Sequence, residues 1–107
     1  MIALKRVLVP HDFSETSTAA VTYAVGMARS FGANVTFLYV ADRPKAELEG
    51  ELAVDADGQV TGSVRDAMLR SIGQADVAAI NPSFYAQAGT PADEIVRFAR
   101  EKDIDLI

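Results

Sequence analysis

The sequence predicts an α/β fold, an open, twisted parallel sheet with helices on both faces. Three observations carry that expectation. A short apolar run, Val7-Leu8-Val9, stops at Pro10 and gives way to a helical pattern. A second run, Val35 to Ala41, is β-branched and aromatic without strict alternation, as a central strand buried on both faces should be. A third, Phe84 to Ala88, closes at Gly89 and leads through Thr90-Pro91 into another helical pattern. Strands separated by helices make parallel neighbours, because a parallel pair needs a crossover connection.

Between the first two strands, Ala20, Tyr23, Ala24, Met27, Ala28 and Phe31 recur with helical spacing and define an expected buried stripe. Ser14 suits the N-cap, Glu15 the positive end of the helix dipole, and Gly32 the left-handed position after the last turn. The strand–helix–strand unit should cross over right-handed. Residues 42–62 read as a variable acidic insertion. Pro44 and Gly50 interrupt periodicity, while Glu47, Glu49, Glu51, Asp55 and Asp57 concentrate charge. Asp57-Gly58, between Leu52–Val54 and Gln59–Thr61, suits the turn of a small hairpin, with a mobile acidic excursion as the alternative. Ser63, with Asp66 in a capping-box relation, opens a helix that runs to Asn81-Pro82 and buries Val64, Ala67, Met68, Ile72 and Ala75. The last helix starts at Pro91, a favoured first-turn residue, and extends through Lys102 with Ala92, Ile95, Val96 and Ala99 inward. Asp105 to Ile107 opens a fourth strand.

Composition narrows the function classes. The 107 residues fit one domain, 1–107, and half of them are hydrophobic, enough for a core. A net charge of −5, with Arg97, Arg100 and Lys102 interspersed among Asp93, Glu94, Glu101 and Asp103, argues against nucleic-acid or membrane-surface binding. The absence of cysteine removes disulfides, thiolate metal sites and thiol catalysis, and suits a cytoplasmic protein. The apolar run from Val35 to Ala41 is far short of the ~20 residues of a membrane helix.

Pro10-x-Asp12-x-Ser14 between the first strand and helix, Phe37-Leu-Tyr-Val40 in the second strand, Gly89-Thr-Pro91 before a helix and Asp105-Leu-Ile107 together resemble the universal stress protein family. The resemblance covers essentially the whole chain. It implies the Rossmann-like, adenine nucleotide alpha hydrolase-like fold, and a role in stress response or signalling. In the nucleotide-binding branch, the first-strand Asp and its neighbouring Pro line the adenine–ribose pocket, and the valine ending the second strand meets the base through its backbone. Carried over, those positions are Pro10, Asp12 and Val40, with Ala41 adjacent, and the cofactor is ATP or AMP held without turnover.

The family's phosphates rest on a later loop of the form Gly-x-x-Gly, a spacer, then Gly-Ser/Thr. Gly89 is the last glycine here, so the resemblance stops short of that loop and the sheet reads as incomplete at its C-terminal side. Phosphate cradles need glycine because backbone N–H groups must approach the oxygens closely. Each polar contact contributes about 0.5–1.5 kcal/mol net, against roughly 8 kcal/mol for micromolar binding. Weak nucleotide binding follows, together with a homodimer that could complete the sheet by strand exchange. The alternative is a dimerisation or protein-interaction module of the same family that binds no nucleotide.

Other candidates resolve to ordinary roles. Asp12 suits a turn acceptor as well as a ribose ligand. His11, the only histidine, lacks a nucleophile partner and reads as a loop residue. Asp55-Ala-Asp57-Gly58 fails as a calcium loop, since Ala53 and Val64 would occupy the first and twelfth positions. Tyr39 and Tyr85 read as strand packing. No metal site is expected, and neither a His-x-Gly-His turn nor a Ser-Gly-Gly run supports an enzyme.

Overall fold

The computed structural model describes residues 4–10, 15–105 and 107, apart from the side chains of residues 15–20 and 71. Along the chain run β1 (Arg6–Pro10), α1 (Glu15–Phe31), β2 (Asn34–Ala41), α2 (Lys45–Leu52), α3 (Gly62–Ile72), α4 (Gln74–Ile80), β3 (Ser83–Ala88) and α5 (Pro91–Glu101). The expected Ser14 cap, with His11 and Asp12, lies outside the described residues.

The sheet order is β1-β2-β3, with both pairs parallel. Alternation sorts the side chains into two cores. Val7, Val9, Val35, Phe37, Phe84 and Ala86 join Ala24, Val25 and Ala28 of α1 and Ile80 of α4 on one face. The Phe37 and Phe84 rings stack there at 5.3 Å between centroids. Leu8 and Leu38 meet Phe98 of α5 on the other. Central β2 therefore contributes to both cores, which is why its sequence is apolar without alternation.

The helix faces depart from expectation. In α1, Ala24 and Ala28 are buried, but Tyr23 is 74% and Phe31 53% exposed, and Val25 is buried instead. The helix rests on the sheet through its small and β-branched side chains, a face rotated from the one carrying the aromatics. Its end is as expected: Gly32 has φ +65, its N–H donates to Arg29 O, and Ala33 N–H donates to Ala28 O at 2.9 Å. This pair of bonds is a Schellman closure, with Ala28 and Ala33 both fully buried. In α5 the inward residues are Phe98 (1% exposed), Ile95 and Ala99, whereas Ala92 is exposed and Val96 is 49% exposed.

The single helix expected from Ser63 is two. Gly73, at φ +95 and ψ 146, separates α3 from α4, a backbone conformation that side chains with Cβ rarely adopt. Val64, Met68, Leu69 and Ile72 pack against the core, while Ala67 and Ala75 are exposed. No capping box forms. The N-cap is Thr61, whose hydroxyl donates to Ala53 O at 2.5 Å instead.

Residues 42–62 carry regular structure, a helix followed by a turn and two short bridges. Pro44 precedes α2 as its N-cap residue, and Arg43 bridges Glu47 (2.7 Å) and Glu51 (2.5 Å), one and two turns on. These carboxylates raise the Arg43 pKa above its ordinary value, the hydrogen bond that Arg43 donates to Glu51 acting most. The expected turn is present, with Gly58 at φ +86 and Asp55 Oδ1 accepting the N–H groups of Asp57 and Gln59. Only one arm was foreseen correctly, since Leu52 ends α2, and Val54 and Val60 bridge alone. The second arm runs antiparallel along the outer edge of β3. Val60 N–H donates to Phe84 O at 2.9 Å, and Ala86 N–H to Gly58 O at 3.0 Å. It thereby covers an edge that would otherwise offer unpaired groups to another chain.

After α5 the chain returns to the free side of β1, where a fourth strand was expected. Asp105 N–H donates to Arg6 O at 2.9 Å, and its carboxylate accepts the N–H groups of Lys5 and Arg6 at 2.9 and 3.0 Å. Those backbone donors, Lys5 first, hold the Asp105 carboxyl below its usual pKa.

Candidate functional site

All three strands run the same way, so Pro10, Ala41 and Ala88 lie on one edge of the sheet. Ligands of open α/β sheets sit outside this carboxyl edge. Pro10, exposed at the end of β1, pairs with Leu38, and β2 therefore overhangs β1 by Tyr39, Val40 and Ala41. Val40 and Ala41 are half-buried and lie opposite Gln87 and Ala88.

The direction of the Val40 backbone follows from its neighbours. Gly89 N–H donates to Ala41 O at 2.9 Å, so the Ala41 peptide groups face β3. At the other end of the strand, Asn34 N–H donates to Lys5 O, so the even-numbered residues of β2 face β1. Successive residues of a strand point their peptide groups to opposite sides. Val40 therefore turns its N–H and C=O to the β1 side, beyond the last paired residue of that strand. Of the expected site residues, the structure thus brings Pro10, Val40 and Ala41 to one rim. Asp12 lies outside the described residues.

Two features of this rim were missed. Gln87 Oε1 is buried without a hydrogen-bond partner among the described residues, and only the strand register reveals that Gln87 lies opposite Val40. Gly89 was expected merely to close β3. It has φ +146, and a Cβ there would stand 2.7 Å from Glu94 Cγ and 2.9 Å from Oε1. Glu94, ion-paired with Arg97, folds back over Gly89 at the start of α5, where its charge suits the helix dipole. Gly89→Ala is expected to lose about 1–3 kcal/mol from backbone strain and this collision. Urea unfolding measures it, and an unchanged midpoint would refute the close approach.

The remaining chemistry is sparse. Among the described residues, no group of three or more His, Asp or Glu side chains could hold a metal ion. Tyr39 packs against the first core and Tyr85 against the second. No described helix is long and apolar enough to cross a membrane.

The model of the universal stress protein family matches residues 3–107. The chain is 30% identical over 105 residues to universal stress protein MJ0531 of Methanocaldococcus jannaschii, covering 96% of itself but 62% of that relative. It thus spans less than two thirds of the curated relative's length. Among solved structures it is similar to the universal stress protein UspA of Lactobacillus plantarum, with a TM-score of 0.66 and 29% identity over 96% of this chain and 73% of that one. It is also similar to protein Rv1636 of Mycobacterium tuberculosis, with a TM-score of 0.63 and 25% identity over 99% and 70%. Together with the parallel sheet and the helices between its strands, these matches show that the chain belongs to the universal stress protein family.

Proposed function

We propose that this domain binds an adenine nucleotide, ATP or AMP, at the carboxyl edge of its sheet without turning it over. Family membership supports a stress-response role, and nucleotide occupancy would be the signal it carries. The reading rests on one observation, the outward-turned backbone of Val40. Its C=O can accept from the exocyclic amine of adenine while its N–H donates to a ring nitrogen, a pairing that guanine does not complement. Pro10 and Ala41 flank the base, and the Asp12 carboxylate accepts from ribose hydroxyls. Universal stress proteins are in general not enzymes, and bound nucleotide serves here as a state marker. The partner is a second copy of the chain in the cytoplasm, rather than nucleic acid or a membrane.

Titration calorimetry tests this. ATP and AMP should bind with affinities within a few-fold of each other, because no glycine-rich phosphate loop is encoded in these residues. GTP should bind at least tenfold more weakly. Asp12→Ala should cost about tenfold, the loss of roughly 1.4 kcal/mol of ribose contacts. No heat with either adenine nucleotide, with a defined dimer by light scattering, would favour the association module instead.

A further inference from the structure

At the opposite edge of the sheet, the face covered by α5 changes character. Its upper rows hold Leu8, Leu38 and Tyr85. Two residues earlier in each strand, the same face presents Arg6, Thr36 and Ser83, with Asn34 beside Arg6 in the register. A groove of about 190 Å³ opens there at the C-terminal end of α5, lined also by Phe98, Tyr85, Lys102 and Asn81.

The electrostatics of this groove run against the chain's composition. The protein carries fifteen acids against ten bases, yet among the described residues two cations and no carboxylate line the groove. Among the described residues, neither cation is in an ion pair. Lys102 Nζ rests 5.3 Å from the Tyr85 ring centroid. Asp105, which also feels the Arg6 charge, spends its carboxylate on the backbone N–H groups of Lys5 and Arg6. The last carbonyls of α5, which would repel an anion, are partly engaged, with Phe98 O accepting from Lys102 N–H and Ala99 O from Ile104 N–H.

We propose that this groove is a second ligand site, which takes a phosphate group, free or as a small monoester, between Arg6 and Lys102. Guanidinium binds phosphate oxygens in pairs and the ammonium adds a point charge. The amides of Asn34 and Asn81 and the hydroxyls of Thr36 and Ser83 serve the remaining oxygens. The volume is below the 300–1,000 Å³ of drug-sized pockets, so the ligand is compact. Asn34 and Ala41 are seven residues apart on one strand, about 23 Å, so this site is separate from the nucleotide edge and does not depend on it.

Amide NMR titration with sodium phosphate and with glycerol phosphate, against sodium chloride at matched ionic strength, tests the proposal. Saturable shifts at Asn34, Thr36, Asn81 and Ser83 are expected with one or both phosphates. Saturation by inorganic phosphate alone identifies the free ion as the ligand, and tighter binding of the ester identifies the monoester. Arg6→Gln with Lys102→Gln should weaken the affinity at least tenfold without moving the thermal midpoint, and Lys102→Gln alone should weaken it less. Shifts that match chloride, shifts confined to Val40, Ala41 and Gly89, or an unchanged affinity in Lys102→Gln and the double variant would each overturn it.

Discussion

Phe98→Ala is expected to remove about 3–5 kcal/mol of stability, a large part of the 5–15 kcal/mol typical of a domain. Phe98 is 1% exposed and, among the described residues, shares its core with two other buried ones, Leu8 and Leu38. Its ring meets Tyr85 edge-on at 5.0 Å and 65°. Truncation would leave a cavity that three side chains on a rigid sheet cannot collapse to fill, and α5 would lose its one large anchor. Val96→Ala, on the same helix but 49% exposed, should change stability by less than about 1 kcal/mol. Urea unfolding of both variants decides the matter. Equal effects would mean that α5 presents a different face to the sheet.

Val60→Asp should cost about 3–5 kcal/mol, the penalty of an uncompensated buried charge, and should make the protein aggregate on warming. Val60 is 1% exposed, and its N–H is bonded to Phe84 on the outer edge of β3. Driving this arm off the edge would both open the core and expose unpaired strand groups. Val60→Thr keeps the β-branch and the backbone bond, and should lose less stability while staying monodisperse. Light scattering during heating separates the two effects. A Val60→Asp protein that unfolds early but stays disperse would show that residues 58–60 fill the core without guarding the edge.

The parts of the fold that were legible depend on near neighbours. Val7–Val9, Val35–Ala41 and Phe84–Ala88 became strands because their side chains suit a pleated, buried surface. Gly32 ended α1 because the chain must turn left-handed there. Thr90-Pro91 marked the start of α5 for equally local reasons. The parallel order followed, since helices between strands leave no other connection.

Which helix face turned inward was not legible. In α5, both Ile95–Phe98–Ala99 and Ala92–Ile95–Val96–Ala99 have helical spacing, and only the gap above Leu8 and Leu38 selects the first. In α1, the aromatic residues attracted the reading, although a helix lies close to a sheet through small side chains such as Ala24 and Ala28. Gly73 broke a periodic pattern that continued across it in sequence. The acidic stretch became structure because Arg43 neutralises it and β3 supplies an edge for it to pair with.

The same division holds for the ligand rim. Pro10 and Val40 could be located by strand ends and by motif. The outward turn of the Val40 peptide, the collision reserved at Gly89 and the polar groove at the far edge could not. By itself, the sequence determined which segments are strand or helix and that they alternate, because those preferences are settled within a few residues along the chain. Only the tertiary structure decided which faces meet, which edge is covered and which way the backbone groups at the rim turn, because those depend on register and on contacts between residues far apart in sequence.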